Sequence, residues 1–469
     1  MVSVRLARVW RPAAGTELEG ECMADVTVVG GGLAGSEAAY QLAERGHEVT
    51  LREMRPVRGT PAHQTHDLAE IVCSNTFKSE DPANAHGLLK LEMEALGAGG
   101  SLLLATARAS RIPGGTALTV DRREFSARMT AAIEAHPRIR VERGEVTELP
   151  AGPSIVATGP LTSDALSASI RRALGDEGLA FFDAIAPVVS SESLDMDTLF
   201  AASRWGKGEG DDYLNAPMTK EQYDVFVEAL RTGEGYEGHD WENVPYFEGC
   251  LPVEVMATRG PETLRFGPMK PVGLPVPQWG GKRAWAVVQL RREDRAGQMW
   301  NLVGFQTRLK IPEQKRIFRT IPGLENAEFL RWGSIHRNTY LNFPARLTAH
   351  GSLPDRPELL FAGQITGVEG YTESTAVGIL AAANLDRIVR GLQPVLPPPT
   401  TMLGGLMRYL RESEPRHFQP MNSNFGLVDP LEVQVKKKEE KRERLVERAR
   451  ADFAAWIRQN ELAPEPAAA

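Results

Sequence analysis

The chain has 469 residues, of which 42% are hydrophobic and 25% are charged, and its formal net charge is −7. This composition predicts a globular protein of two or three domains, and no stretch reaches the roughly 20 apolar residues that a membrane-spanning helix needs. The negative net charge excludes nucleic-acid binding through bulk charge, so such a partner requires a local basic patch. Three cysteines, Cys22, Cys73 and Cys250, are too few for a disulfide framework and favour a reducing, cytoplasmic location.

The first residues of the chain differ in texture from the rest. Residues 1–22 contain proline and glycine and show no sustained hydrophobic period, whereas a strand pattern follows Met23 directly. We predict that residues 1–23 form a disordered extension, that the native start is Met23, and that Cys22 lies outside the folded body. An arginine-rich targeting peptide is the alternative, which the glutamates at 17, 19 and 21 disfavour.

A strand, a glycine-rich turn, a helix and a second strand follow in order at residues 26–29, 30–35, 34–45 and 49–51. The turn fits the G-x-G-x-x-G pattern of dinucleotide-binding proteins, in which glycines allow a tight turn and a close approach to a pyrophosphate. Glu53 lies 18 residues after Gly35, where a carboxylate accepts ribose hydroxyl groups. The predicted cofactor-binding residues are therefore Glu53 and the turn itself: Gly30, Gly31, Gly32, Leu33, Ala34 and Gly35.

Two later segments favour FAD over NAD as the dinucleotide. An apolar strand at 155–157 ends in Thr158-Gly159, and another at 359–362 runs into Gly363 and an alanine-rich helix at 374–390. Both patterns are typical of flavoproteins, in which the late helix directs its N-terminal partial positive charge at the flavin. Gln364 stands where an acid is usual, so we expect the ribityl contact to use an amide or the backbone.

The segments between these motifs suggest an insertion. Residues 60–115 read as irregular apart from a helix near 87–96, followed by a helix at 121–134 and a strand pair or bent strand at 139–146. Residues 166–330 are denser in proline, glycine and aromatics, with a helix near 220–230. The predicted fold is α/β: a discontinuous Rossmann-type FAD-binding domain (24–165 and 331–469, ending in a charged helix at 431–457) with an inserted α+β domain (166–330).

Cysteine and histidine are the residues best suited to chemistry. Cys73 and Cys250 lie in polar or glycine-containing surroundings, where a thiolate can act as a nucleophile, although an inert packed thiol is the commoner case. His336 and Tyr371 lie in polar segments and are equally compatible with structural roles. No ligand set for a metal is predicted.

Six strings of the sequence together resemble the TrmFO family of FAD- and folate-dependent tRNA (uracil-5-)-methyltransferases, relatives of MnmG: VVGGGLAGSEAA, LREMRP, EIVCSNTFKS, FEGCLPVE, WGSIHRNTYLN and FAGQITGVEGYTES. The resemblance covers about residues 24–430. It implies that 5,10-methylenetetrahydrofolate donates a one-carbon unit, that reduced FAD donates electrons, and that NADPH or NADH re-reduces the flavin. The implied product is 5-methyluridine at the T-loop uridine (U54) of tRNA.

The same resemblance implies roles for individual residues. Cys250 and Cys73 are the implied catalytic thiols; we assign Cys250 to attack on uracil C6 and Cys73 to a position near the flavin, with the reverse assignment left open. His336 is expected to stack on the folate pterin, and Tyr371 to line the same pocket. Three alternatives remain: an MnmG-like enzyme acting on the tRNA wobble uridine, the same chemistry on ribosomal RNA, and an RNA-binding flavoprotein without catalysis.

Two basic clusters are candidates for contacting the RNA backbone. The first lies in the predicted C-terminal helix: Lys436, Lys437, Lys438, Lys441, Arg442, Arg444, Arg448 and Arg450. Glutamates are interspersed among these basic residues, so the favoured alternative is an amphipathic helix that packs against the body of the protein. Its apolar face would consist of Leu445, Val446, Ala449, Phe453 and Trp456. The second lies in the insertion: Lys282, Arg283, Arg291, Arg292 and Arg295. The sequence leaves the oligomeric state open.

Overall fold

The computed structural model describes residues 23–60, 62–175, 179–208, 211–236, 251–293 and 297–462, with the backbone alone at 179–185, 334–339, 417 and 438. The predicted N-terminal extension, Cys22, Cys250 and Arg295 lie outside the described residues. No helix within these ranges is long and apolar enough to cross a membrane.

The strands, in chain order, are β1 (Asp25–Val29), β2 (Glu48–Glu53), β3 (Thr76–Ser79), β4 (Arg111–Ile112), β5 (Ala117–Val120), β6 (Ile139–Arg143), β7 (Ser154–Val156), β8 (Leu179–Ile185), β9 (Val188–Ser190), β10 (Phe200–Ala201), β11 (Tyr213–Met218), β12 (Ala286–Arg292), β13 (Met299–Leu302), β14 (Phe329–Arg331), β15 (Ser334–Tyr340), β16 (Ser352–Leu353) and β17 (Arg356–Phe361). The helices, in chain order, are α1 (Leu33–Glu44), α2 (Ala85–Leu96), α3 (Leu102–Ala109), α4 (Arg122–Ala135), α5 (Asp164–Leu174), α6 (Lys220–Thr232), α7 (Val253–Thr258), α8 (Thr263–Phe266), α9 (Ile311–Phe318), α10 (Phe343–Arg346), α11 (Tyr371–Val389), α12 (Met402–Glu412) and α13 (Lys438–Gln459).

A six-stranded sheet of order β16-β17-β7-β1-β2-β6 forms the first layer of the molecule. All its pairings are parallel except β16 with β17. The apolar runs of β1 and β7 are buried because helices cover the sheet, as expected for a parallel sheet. The helices α1 and α11 pack closely, since a Cβ at Gly378 would lie 2.6 Å from the Ala34 carbonyl oxygen. The predicted Rossmann-type α/β fold is confirmed.

A second sheet, of order β10-β11-β12-β13-β9-β14, is built from the later part of the chain. Its neighbouring strands pair antiparallel, as in β11 with β12 over Tyr213–Met218 and Ala286–Arg292. Apolar residues of α6, α7, α8 and α9 cover one face of this sheet and form its core. The strands β8 and β15 form a separate antiparallel pair.

The helix α5 belongs with the parallel sheet. Its Leu166 and Ile170 are buried in one cluster with Val29, Val156 and Phe361. An insertion defined by its own core therefore starts after α5, although the sequence places residue 166 within the inserted domain. The limits 24–165, 166–330 and 331–469 stay a prediction.

Three local expectations are corrected by the structure. Residues 60–115 are not irregular outside α2, because they also hold β3, α3 and β4; the flanking glycines at 97, 99 and 100 hide the apolar helix α3 in the sequence. Residues 139–146 hold one strand, β6, which ends at Arg143, rather than a strand pair. The C-terminal helix begins at Lys438 rather than at residue 431, since Leu431, Val433 and Val435 alternate instead of following helical spacing.

Candidate functional site

The turn between β1 and α1 requires glycine at two positions. Gly30 has φ +102°, and a Cβ there would lie 2.6 Å from the Ala157 carbonyl oxygen. At Gly35 a Cβ would lie 1.8 Å from the Gly30 carbonyl oxygen, which no side chain can tolerate. The turn is therefore as tight as the glycine spacing predicts.

Gly32 faces open space instead. No atom lies within 4 Å of the position a Cβ would take, and Gly32, Leu33 and Ala34 line a cleft above the sheet. No side chain caps the N-terminus of α1, so its first N–H groups are not claimed by a capping residue. An uncapped helix N-terminus beside a cleft fits the pyrophosphate of a dinucleotide.

Glu53, the last residue of β2, also lines this cleft and is 5% exposed. Its Oε2 accepts a hydrogen bond from the Gly31 N–H at 2.8 Å, and its Oε1 accepts two from Arg55, from N–H and Nε, at 2.9 Å each. Burial would raise the pKa of Glu53, but the hydrogen bonds and charge of Arg55 outweigh burial and lower this pKa. The carboxylate is thus held ionised at neutral pH.

The cleft continues along the carboxyl ends of the parallel strands. Thr158 and Gly159, which follow β7, line the cleft, and so do Gln364 and Ser374, which follow β17. Gly363, with φ +78°, packs against the start of α1, since a Cβ there would lie 2.7 Å from the Cβ of Ala34. The Gln364 side-chain amide donates to Glu369 at 2.8 Å, which leaves its oxygen or its backbone for a ligand.

The segment that carries Cys73 lies at the edge of the cleft and is held by Tyr371, the first residue of α11. The Tyr371 hydroxyl oxygen accepts hydrogen bonds from the backbone N–H groups of Cys73 (2.8 Å) and Ser74 (3.0 Å). Tyr371 and Val72 both line the cleft. Burial raises the pKa of Tyr371, so its phenol is neutral at neutral pH.

Arg122, the first residue of α4, holds the carbonyl side of the same segment. Its Nη1 donates to the Ile71 and Val72 carbonyls at 3.1 Å each, and its Nη2 donates to the Cys73 carbonyl at 3.4 Å. Arg122 is also ion-paired with Glu293, which follows β12 of the second sheet. The Cys73 segment therefore has its N–H and C=O groups satisfied by side chains from different parts of the fold.

The remaining predicted residues are only partly placed. His336 lies on β15, where its backbone pairs with Asp183 of β8, and its side chain is not described. Cys250 lies outside the described residues; the next residue, Leu251, is buried before α7. Sequence reasoning missed Arg122 and Glu293, because nothing in the string DRREF distinguishes an arginine that binds a loop from one in solvent.

Comparisons with known proteins place the chain in a family. The family model described as Glucose inhibited division protein A matches residues 25–393. The methylenetetrahydrofolate--tRNA-(uracil-5-)-methyltransferase TrmFO of Geobacter sulfurreducens is 55% identical, over 92% of this chain and 98% of that relative. The chain belongs to the TrmFO family. The TrmFO of Rhodospirillum rubrum is 53% identical over 92% of each chain.

The fold of this TrmFO family member is also found in a more distant solved structure. The structure of Aquifex aeolicus GidA in its form II crystal superposes with a TM-score of 0.67 at 17% sequence identity. The match covers 95% of this chain and 76% of the GidA chain. At this identity the likeness shows a shared fold.

The basic clusters of this TrmFO family member divide into exposed and engaged residues. Arg291 is buried and donates from Nε to the Asn75 side-chain oxygen at 2.9 Å. The prediction that Arg291 belongs to an exposed RNA-binding patch is therefore wrong. Lys282 and Arg283 are exposed. The apolar face of α13 is buried at Leu445, Ala449, Phe453 and Trp456, which supports the docked amphipathic helix.

Proposed function

We propose that this chain methylates C5 of the T-loop uridine, U54, of tRNA, with 5,10-methylenetetrahydrofolate as the carbon donor and FAD as the bound redox cofactor. One observation carries the proposal: the Cys73 segment is fixed by Tyr371 and Arg122 at the edge of a dinucleotide cleft. The printed activity of relatives at 53–55% identity supports the same reaction. The cytoplasm is the proposed location.

The FAD would be held by the residues of the cleft. Gly32 leaves room for the pyrophosphate at the N-terminus of α1, Glu53 would accept the ribose hydroxyls, and Gly363 and Gln364 would contact the ribityl chain. When reduced, FAD supplies the electrons by which a transferred methylene group becomes a methyl group. NADPH or NADH is the proposed source of those electrons.

The thiols would activate the uracil. Carbon C5 of uracil is a weak nucleophile until a thiolate adds to C6, and we assign that addition to Cys250, with Cys73 as the alternative. A base must then remove the proton from C5, and the thiol that does not attack C6 could act as this base. Tyr371 positions Cys73 through two N–H bonds, and its own O–H proton remains for donation into the cleft.

The folate pocket is proposed on the same side as Tyr371. His336 would stack on the pterin, and Tyr371 would line the pocket beside the Cys73 segment. Because the target base is stacked within a folded RNA loop, it must be unstacked to reach the thiols.

The test is a reconstituted reaction with purified FAD-loaded protein, labelled 5,10-methylenetetrahydrofolate, NADPH and unmodified tRNA. Labelled 5-methyluridine at position 54 is expected, and a transcript with cytidine at position 54 is expected to give none. Cys250→Ala is expected to keep FAD and lose transfer, whereas Cys22→Ala, the matched control, keeps both. Label in the wobble base would favour an MnmG-like enzyme; label only in ribosomal RNA would redirect the substrate assignment.

A further inference from the structure

A second cavity adjoins the segment that carries Cys73. Its volume is about 480 Å³, and it shares Glu70 and Val72 with the dinucleotide cleft. Arg122 and Arg123 of α4 form one wall, and Glu293 and Arg331 from the region of the second sheet form another. The cavity therefore lies between the two sheets, beside the segment that carries Cys73, of which Ile71 and Val72 line it.

The carboxylates that line this cavity already have partners. Glu70 accepts from Arg55 at 3.1 Å and from the hydroxyl of Thr65 at 2.8 Å. Asp121 caps α4 by accepting from the N–H groups of Arg123 and Glu124. Glu293 is ion-paired with Arg122.

Arg331 differs, because its guanidinium forms no direct ion pair within the described residues, although the charge of Glu293 across the cavity acts on it. Its two hydrogen bonds run to the Val72 and Ala186 carbonyl oxygens and are long, at 3.4 and 3.5 Å. Its Nε is buried without a hydrogen-bond partner among the described residues. Burial and the charge of Arg122 lower the pKa of Arg331 to about 10, so it is still charged at neutral pH. A desolvated charge in this setting is stabilised by an anion.

We propose that this cavity binds the carboxylate end of the folate cosubstrate, with Arg331 as its anchoring residue. The inference rests on the proposed function and deepens it. Tetrahydrofolate carries its carboxylates on the glutamate, at the end opposite the pterin. Arg331 ends β14, and β15 with His336, the proposed pterin residue, begins three positions later. The chain segment from Arg331 to His336 would thus contact both ends of the ligand. Arg123, which is exposed at the mouth of the cavity, would contact the additional glutamate units of a polyglutamylated folate.

The experiment measures binding by the FAD-loaded protein without turnover. Arg331→Gln is titrated with 5-formyltetrahydrofolate, which cannot donate a methylene group, and with 6-methyltetrahydropterin, which lacks the glutamate. We expect the Kd of the formylfolate to rise at least tenfold, because a charge-assisted bond to a carboxylate is lost. The Kd of the pterin is expected to change less than twofold. Arg331→Lys is expected to recover part of the folate affinity.

The controls separate the outcomes. Arg319→Gln, at an arginine of the same region that donates to the Ala327 carbonyl outside this cavity, is expected to leave both Kd values unchanged. Equal weakening of both ligands by Arg331→Gln, or no weakening of either, would overturn the inference, as would weakening of tRNA binding alone. Wild-type protein that binds no tetrahydrofolate would count against the proposed function itself.

Discussion

The glycine turn at 30–35 and the thiol segment at 71–74 lie along the same cleft but are held in opposite ways. The turn is fixed by its own neighbourhood: Gly30 N–H donates to Arg52, Ser36 N–H donates to Gly32, and Glu53 accepts from Gly31. The thiol segment depends on distant side chains, since Tyr371 follows Cys73 by 298 positions and Glu293 follows Arg122 by 171.

The difference separates two kinds of information in a sequence. A turn whose partners lie within about one βαβ unit is encoded locally and is recognised from spacing alone. A segment bound by residues from another helix and another sheet is encoded only by the assembled fold. The thiol segment should therefore respond to changes far from it, while the turn should respond mainly to changes within its own βαβ unit and at the two residues packed tightly against it, Ala157 and Gly363.

Substituting the glycines of the turn should give the largest effect. Gly35→Ala places a methyl group 1.8 Å from the Gly30 carbonyl oxygen, so we expect loss of folded protein and of bound flavin, measured by absorbance near 450 nm. Gly32→Ala, whose added methyl meets no protein atom within 4 Å, should fold normally but retain less FAD because the methyl group enters the cleft. Full flavin content in Gly35→Ala would contradict the description of the turn.

Removing the guanidinium of Arg122 tests the remote support of the thiol segment. Arg122→Met leaves Glu293 buried without its partner, and we expect a loss of about 3–5 kcal/mol in the free energy of unfolding, measured with urea. Adding Glu293→Gln should recover part of this loss. Arg128→Met, at an exposed arginine of the same helix, should cost under about 1 kcal/mol. If Arg122→Met and Arg128→Met lowered the free energy of unfolding equally, Arg122 would not be a specific support of the thiol segment.

Removing the Tyr371 hydroxyl tests the other side of the segment. Tyr371→Phe leaves the N–H groups of Cys73 and Ser74 without their acceptor, which should cost about 1–3 kcal/mol of stability and reduce methyl transfer more than tenfold at unchanged FAD content. Tyr340→Phe, a buried tyrosine whose hydroxyl donates to the Phe418 carbonyl, should lose stability but keep activity. Parallel losses of activity in both variants would argue against a positioning role.

The smallest effect concerns Glu53 and appears in its pH dependence. Because the folded pKa of Glu53 lies below its unfolded value of about 4.5, the carboxylate stabilises the fold above that pH, and this contribution disappears as pH falls through the folded pKa. Glu53→Gln should lower stability by about 1 kcal/mol at pH 7, with the difference from wild type shrinking below pH 4.5 in thermal melts. Glu142→Gln, at a half-exposed carboxylate on β6, serves as the matched control.

Much of the dinucleotide cleft could be predicted from the sequence, because the residues that determine its turn lie close together along the chain. The glycine spacing predicts the turn, and the apolar runs before Gly159 and Gly363 predict the strands β7 and β17. The structure pairs β7 with β1 and β17 with β7. Gln364, which the sequence also predicts to contact the cofactor, lines the cleft, but its hydrogen bond to Glu369 does not follow from the sequence.

For the thiol segment, the sequence predicts which residues take part but not how they contact one another. Cys73 and Tyr371 were both named, but neither their hydrogen bond nor the support from Arg122 follows from spacing, since these contacts arise when separate elements pack. Arg291 shows the same difficulty: a basic residue beside Arg292 reads as solvent-facing, yet the fold buries it against Asn75.

The strand order of the parallel sheet also has a consequence for biosynthesis. β17 begins at residue 356, 200 positions after β7 ends at residue 156, and the two strands pair directly. While the ribosome makes the intervening chain, one edge of β7 has no neighbour, and an unpaired edge invites association with other chains. The parallel sheet, and with it the part of the cleft that follows β17, can therefore be completed only after about three quarters of the polypeptide has been made.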